Sequence, residues 1–208
     1  MNSTKLRLSY NHEEDFVGIQ KKLIEASENV EHIKFDTGLY PIGLEHFCEI
    51  IKEILSKPNI KKITYEVQFD DDKNFEDFPV NVTVKELDLS YFINTCNFTS
   101  WIWKKIFEAT PNVEEIEVFT YEDFIELPQI LRNLNVFKEL KILKVSITIQ
   151  EMEAQEKRSV AEEAMKVLKE ELPMKVKASV AELLEGHLED SSLILIEKEA
   201  NEDPKLII

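Results

Sequence analysis

The chain has 208 residues, 43% hydrophobic and 32% charged, with 4 Gly and 7 Pro. That composition supports a real core and excludes a disordered or low-complexity chain, and the length fits one compact domain or a short repeat array. Acids outnumber bases 41 to 25, for a formal net charge of −16, which argues against nucleic acid and anionic membranes as partners, since phosphate recognition needs a basic stripe. Such a surface attracts a basic partner at long range, or simply keeps the protein soluble. Cys48 and Cys96 belong to no CxxC pair or zinc-ligand spacing, so no disulfide framework is expected and an intracellular, cytoplasmic location is the simplest reading. The first residues lack an apolar run behind a basic start, and no stretch reaches the ~20 apolar residues that span a bilayer. The glycosylation-like triplets at Asn2, Asn81 and Asn97 are therefore expected to be accidental.

A short motif recurs along the chain: an aliphatic residue, two mostly polar residues, an apolar residue, one polar residue, and a second apolar residue. A weak copy at Leu6-Leu8 comes first. Phe16, Ile19, Leu23 and Ile24 then recur at helical spacing. Val30-Ile33-Phe35 forms the first full copy. Behind it, Leu44, Phe47, Ile50, Ile51, Ile54 and Leu55 form one stripe of a second helix. Ile60-Ile63-Tyr65 and Val84-Leu87-Leu89 follow, joined by a short stretch with the acidic run Asp70-Asp71-Asp72, which reads as a loop with at most a helical turn. Its spacing fails as a calcium loop, so no metal is expected there. Trp101, Ile102, Ile106 and Phe107 predict a helix, with Thr99 or Ser100 as N-cap. Val113-Ile116-Val118 is the next copy. Phe124, Ile125, Leu127, Ile130, Leu131 and Leu134 form another stripe, with Pro128 suited to a first helical turn. Leu140-Leu143-Val145 closes the series.

The full copies start about 24 to 30 residues apart. The last two apolar residues of each copy are two apart, so they share one strand face while the residue between them points the other way. One such unit cannot bury its apolar side alone, so neighbours must stack. Asn29, Asn59 and Asn112 each precede the first anchor, twice as Pro-Asn, where Pro stops a helix and Asn supports the turn into the strand.

Residues 149–172 read as a longer helix that Pro173 ends. Strands are expected near Val176–Val180 and Leu193–Ile196, with a short helix over Ala181–Leu188 as a competing assignment for the first. This region, 149–198, is expected to cap the array of residues 1–148, because an open terminal strand invites aggregation. Residues 199–208 are expected to be a loose tail.

The copies VEHIKF, IKKITY, VKELDLS, VEEIEVFT and LKILKVS resemble leucine-rich repeats over most of residues 1–148. Phrases such as KKIFEATPNVEEIEVFT look like the divergent repeats of nematode F-box proteins. The resemblance implies an α/β solenoid of about six strand–helix units, with parallel strands lining a concave sheet. It also implies protein binding, and in the F-box families recruitment of substrates to cullin-type ubiquitin ligases. The chain departs from those families in that a repeat-like strand begins at Leu6, so no F-box is expected ahead of the repeats.

No catalytic constellation is visible. His12, His32, His46 and His187 are scattered, and no nucleophile elbow, metalloprotease or phosphate-loop motif occurs. The expectation is a non-enzymatic protein with no cofactor. On the implied concave face the outward residues of the two central strands are Glu86, Asp88, Glu115 and Glu117. An acidic patch there, edged by Phe119, Tyr91 and Tyr121, would suit a basic or amphipathic segment of another protein. Two other readings remain open: an F-box-like substrate receptor or a fragment of one, and a subunit of an obligate complex that uses its helical face, with oligomeric state undetermined.

Overall fold

The computed structural model describes residues 4–12, 15–26, 28–38, 42–67, 77–89, 101–120, 127–148, 153–173, 175–183 and 192–207. Its first half runs β1 (Thr4–Ser9), α1 (Asp15–Glu25), β2 (Val30–Asp36), α2 (Leu44–Leu55), β3 (Lys62–Glu66), β4 (Glu86–Leu89) and α3 (Trp101–Ala109). Its second half runs β5 (Glu115–Thr120), α4 (Leu127–Asn133), β6 (Ile142–Thr148), α5 (Ala154–Glu170), β7 (Lys177–Leu183), β8 (Ser192–Lys198) and β9 (Lys205–Leu206). The strands form one mostly parallel sheet in the order β1 to β9, with antiparallel pairing only at β7–β8 and β8–β9.

The repeated motif sets the register. Ile33, Ile63, Leu87, Ile116 and Leu143 fall in one row across β2 to β6, and every anchor residue of the five full copies is buried. Side chains alternate across a strand, so this row and its i+2 neighbours define a core face. The helices cover that face. Phe47 of α2 lies over two strands at once, with its ring 6.2 Å from Phe35 and 6.4 Å from Tyr65. Phe107 of α3 meets Phe137 edge-on at 5.0 Å. All six predicted apolar positions of α2 are buried. The α1 stripe is narrower than its spacing suggests: Ile19 and Leu23 are buried, whereas Ile24 is 73% exposed because it lies on the outer side of the helix. Pro128 sits at the second position of α4, where it has no intrahelical donor to lose. Phe124, Ile125, Thr99 and Ser100 lie outside the described residues, as do the side chains of Trp101 and Ile102.

The units are tied to one another by side chains that reach back one repeat. Asn59 donates to the Glu28 carbonyl at 2.7 Å, and Asn112 to the Val82 carbonyl at 3.0 Å. Thr83 holds the equivalent position before Val84, and its hydroxyl donates to the Ile60 carbonyl at 2.8 Å. The described part of the short unit between β3 and β4, residues 77–85, contains no helix. Buried Asn81 does a helix's joining work there. Its amide donates to the Leu55 and Lys57 carbonyls at 2.9 and 2.8 Å, and its backbone N–H donates to the Ala109 carbonyl at 2.7 Å. It thereby satisfies carbonyls left over at the ends of α2 and α3, and its burial removes it from the accessible positions a glycan needs.

The C-terminal third follows directly on the last repeat. α5 is shorter than expected, and β7 continues the sheet parallel to β6, so the boundary near residue 148 is not a break in the packing. A single hydrophobic cluster runs from Leu8 to Ile196. Ala181–Leu183 belong to β7, not to a helix. The tail is paired rather than loose: Lys205 and Leu206 bond antiparallel to Glu197 and Ile196. Its polar composition concealed this because the polar residues have partners. Asp203 accepts from Lys169 at 2.8 Å, and Glu199 from Lys177 at 2.7 Å.

Candidate protein-binding surface

The core anchors fix which residues point away from the helices. In register across β4 and β5, Glu86 lies beside Glu115 and Asp88 beside Glu117. Strands in a sheet are about 4.8 Å apart, so each pair places two carboxylates side by side. Two cations border them. Lys62 of β3 reaches Glu86 at 3.2 Å, and Lys144 of β6 reaches Glu117 at 3.7 Å. Asp88 accepts from the Thr64 hydroxyl at 3.2 Å. Over the β3–β6 stretch these two rows therefore hold four carboxylates and two ammonium groups. The depression above them has a volume of about 30 Å³, room for about one water, so the patch is a shallow surface and not a pocket for a small molecule.

The same face is different over β1 to β3. Arg7 bonds Asp36 at 2.8 Å, and Lys34 pairs with Glu66. His32 shares a 3.0 Å hydrogen bond with Thr64. Partial burial, with Lys5 and Lys62 nearby, lowers the His32 pKa and favours the neutral ring. A second charge ladder runs along the strand entrances. Lys85 bonds Glu114 at 2.8 Å and Lys141 pairs with the same carboxylate. These two hydrogen bonds pull Glu114 down to about 2.

The structure brings the four predicted acids together. Phe119 differs from the exposed anchor that was expected: only 7% of it is accessible. Its neighbours in register on the next two strands are Ser146 and Ala181. Tyr91 and Tyr121 lie outside the described residues. Lys62 and Lys144 were legible as outward residues on the flanking strands; the Glu114 ladder was missed, although the repeat spacing alone places Lys141 beside Glu114.

Elsewhere, His46 stacks on Phe16 with ring centroids 4.1 Å apart, while Cys48 is buried. Burial pushes the Cys48 thiol up to about 11, which makes it a poor nucleophile. Among the described residues no group of three or more His, Cys, Asp or Glu is placed to hold a metal ion. Nor, among them, is any helix long and apolar enough to cross a membrane. Comparison of the chain with family models, with curated proteins and with solved structures found no match.

Proposed function

We propose that the chain is a leucine-rich-repeat-like solenoid that binds another protein through the acidic centre of its uncovered sheet face. The observation that carries this reading is the in-register placement of Glu86 against Glu115 and Asp88 against Glu117. Four carboxylates set side by side repel one another, and Lys62 and Lys144 border them only from the flanking strands, so the four acids outnumber the two cations beside them. A basic or amphipathic partner segment would relieve the repulsion, and attraction of that sign also speeds encounter. The sequential strand order and the side-chain bonds that reach back one unit support the solenoid reading.

The test is affinity purification with mass spectrometry, comparing the wild-type chain with a variant in which the four acids are replaced by lysine. A protein recovered by the wild type and lost from the folded variant supports the reading. Recovery of the same proteins by both opposes it. Adaptors of cullin-type ligases among the lost proteins would favour a substrate-receptor role.

A second reading, a subunit that packs through its helical face, is favoured by one observation. Val17 and Ile24 are 70% and 73% exposed and lie two helical turns apart on α1. Replacing both by Ser would then release a constitutive partner, while the four-acid variant would keep it.

A further inference from the structure

At the N-terminal end of the sheet, β1 pairs only with β2 among the described residues, so its outer edge is unpaired. The opposite end of the sheet is the two-residue β9, whereas β1 offers six residues. A strand edge of this length presents a row of main-chain donors and acceptors on which another strand can form. Its side chains restrict what can bind. Lys5 and Arg7 stand on the uncovered face, and Leu6 and Leu8 on the core face, where Leu6 is only partly buried.

A second copy of this chain is a poor occupant. The two antiparallel registers of two β1 strands that overlap most while keeping apolar residues on the core face set Arg7 against Arg7 or Lys5 against Arg7. Like charges directly opposed disfavour both registers. The complementary occupant carries acids opposite Lys5 and Arg7, with apolar residues between them. The fold already contains such a pairing. β4 reads Glu-Leu-Asp-Leu and lies parallel to β3, with its two leucines buried and Glu86 paired with Lys62. Arg7 bonds Asp36 through one nitrogen, and a guanidinium has five N–H donors, so it can also take a second carboxylate.

We infer that the outer edge of β1 is a second binding site, which takes an extended partner segment of alternating acidic and apolar residues as an added strand. The site is separate from the acidic patch. It lies three strands away, roughly 14 Å at the spacing of a sheet, and its charge preference is opposite.

The probe is a fluorescent peptide with the sequence of residues 84–89, Val-Lys-Glu-Leu-Asp-Leu, titrated against the full chain. Saturable binding is expected, with slowed amide exchange confined to β1. Lys5→Glu with Arg7→Glu should weaken binding about tenfold and should create binding of a peptide with lysines at the two acidic positions, which shows that the variant is folded. A peptide methylated on its backbone nitrogens should not bind, because it cannot join the ladder. The four-acid variant of the sheet face should bind the probe as the wild type does. No saturable binding up to about 1 mM would overturn the inference. So would undiminished binding of the methylated peptide, or exchange protection outside β1.

Discussion

Strands β2 and β3 are built like β4 and β5 on the core side and unlike them on the other. Ile33, Phe35, Ile63 and Tyr65 of the first pair are as buried as Leu87, Leu89, Ile116 and Val118 of the second. On the uncovered side, the first pair matches its charges, Lys34 with Glu66 and Asp36 with Arg7 of β1. The second pair sets acid beside acid. One strand parity specifies the fold and tolerates little change, while the other is released from that task and varies from unit to unit. The charge pattern of the second parity can therefore differ between units without disturbing the core.

The largest expected effect tests the parity itself. Ile116→Ala should cost about 3 kcal/mol, as for a buried aliphatic residue cut back in a close-packed core. Its neighbour Glu117→Ala should stay within about 0.5 kcal/mol. Urea unfolding of both variants checks this, and equal losses would break the comparison. Next in size, Asn81→Ala should cost about 2 kcal/mol, because it strips the amide from the buried Leu55 carbonyl and the part-buried Lys57 carbonyl. Asn112→Ala, which loses one exposed bond, should cost about half as much.

Charge removal should have opposite signs in the two pairs. Glu66→Gln is expected to lower stability by about 0.5 kcal/mol, since it breaks a partly screened ion pair. Glu115→Gln is expected to raise it by a few tenths of a kcal/mol, since it removes a repulsion. Thermal unfolding at low and high salt separates them, and salt should shrink both effects. Two losses of similar size would show that the acids of β4 and β5 are not in conflict.

The smallest effect is one of pH. Glu114 titrates in the folded chain at about 2, against an ordinary value of 4.5. A carboxylate held low contributes stability that is fully present above pH 4.5 and fades as the pH falls toward 2. Glu114→Gln should therefore reduce the melting temperature slightly at neutral pH, and the gap should close by pH 2. A gap that persists there would mean that the carboxylate is not what the two lysines stabilise.

Much of the fold was legible because it is written in a repeat. The same two anchors two residues apart, such as Ile63 and Tyr65, give strand, face and register together. What escaped notice follows from contacts that no local spacing encodes. Asn81 was read as an accidental triplet, because its partners Leu55, Lys57 and Ala109 lie on two other units. The end of the chain was read as loose because Glu199, Asp203 and Lys205 are polar, yet Lys169 and Lys177 hold two of them in place. Of the candidate surface, the four acids were legible from parity. The burial of Phe119 was not, because strand parity alone places it on the same side as the exposed acids Glu115 and Glu117.

The central claim is that the acids of β4 and β5 are a binding surface and not merely part of the protein's charge. The direct measurement is capture of partner proteins by three chains. One is the wild type, and the second has Glu86, Asp88, Glu115 and Glu117 replaced by lysine. The third has Glu28, Glu45, Glu53 and Glu108, exposed acids away from the sheet face, replaced by lysine. Both variants carry the same change in net charge. A partner retained by the third chain and lost by the second is the predicted result. A partner retained by both, or lost equally by both, would contradict the account.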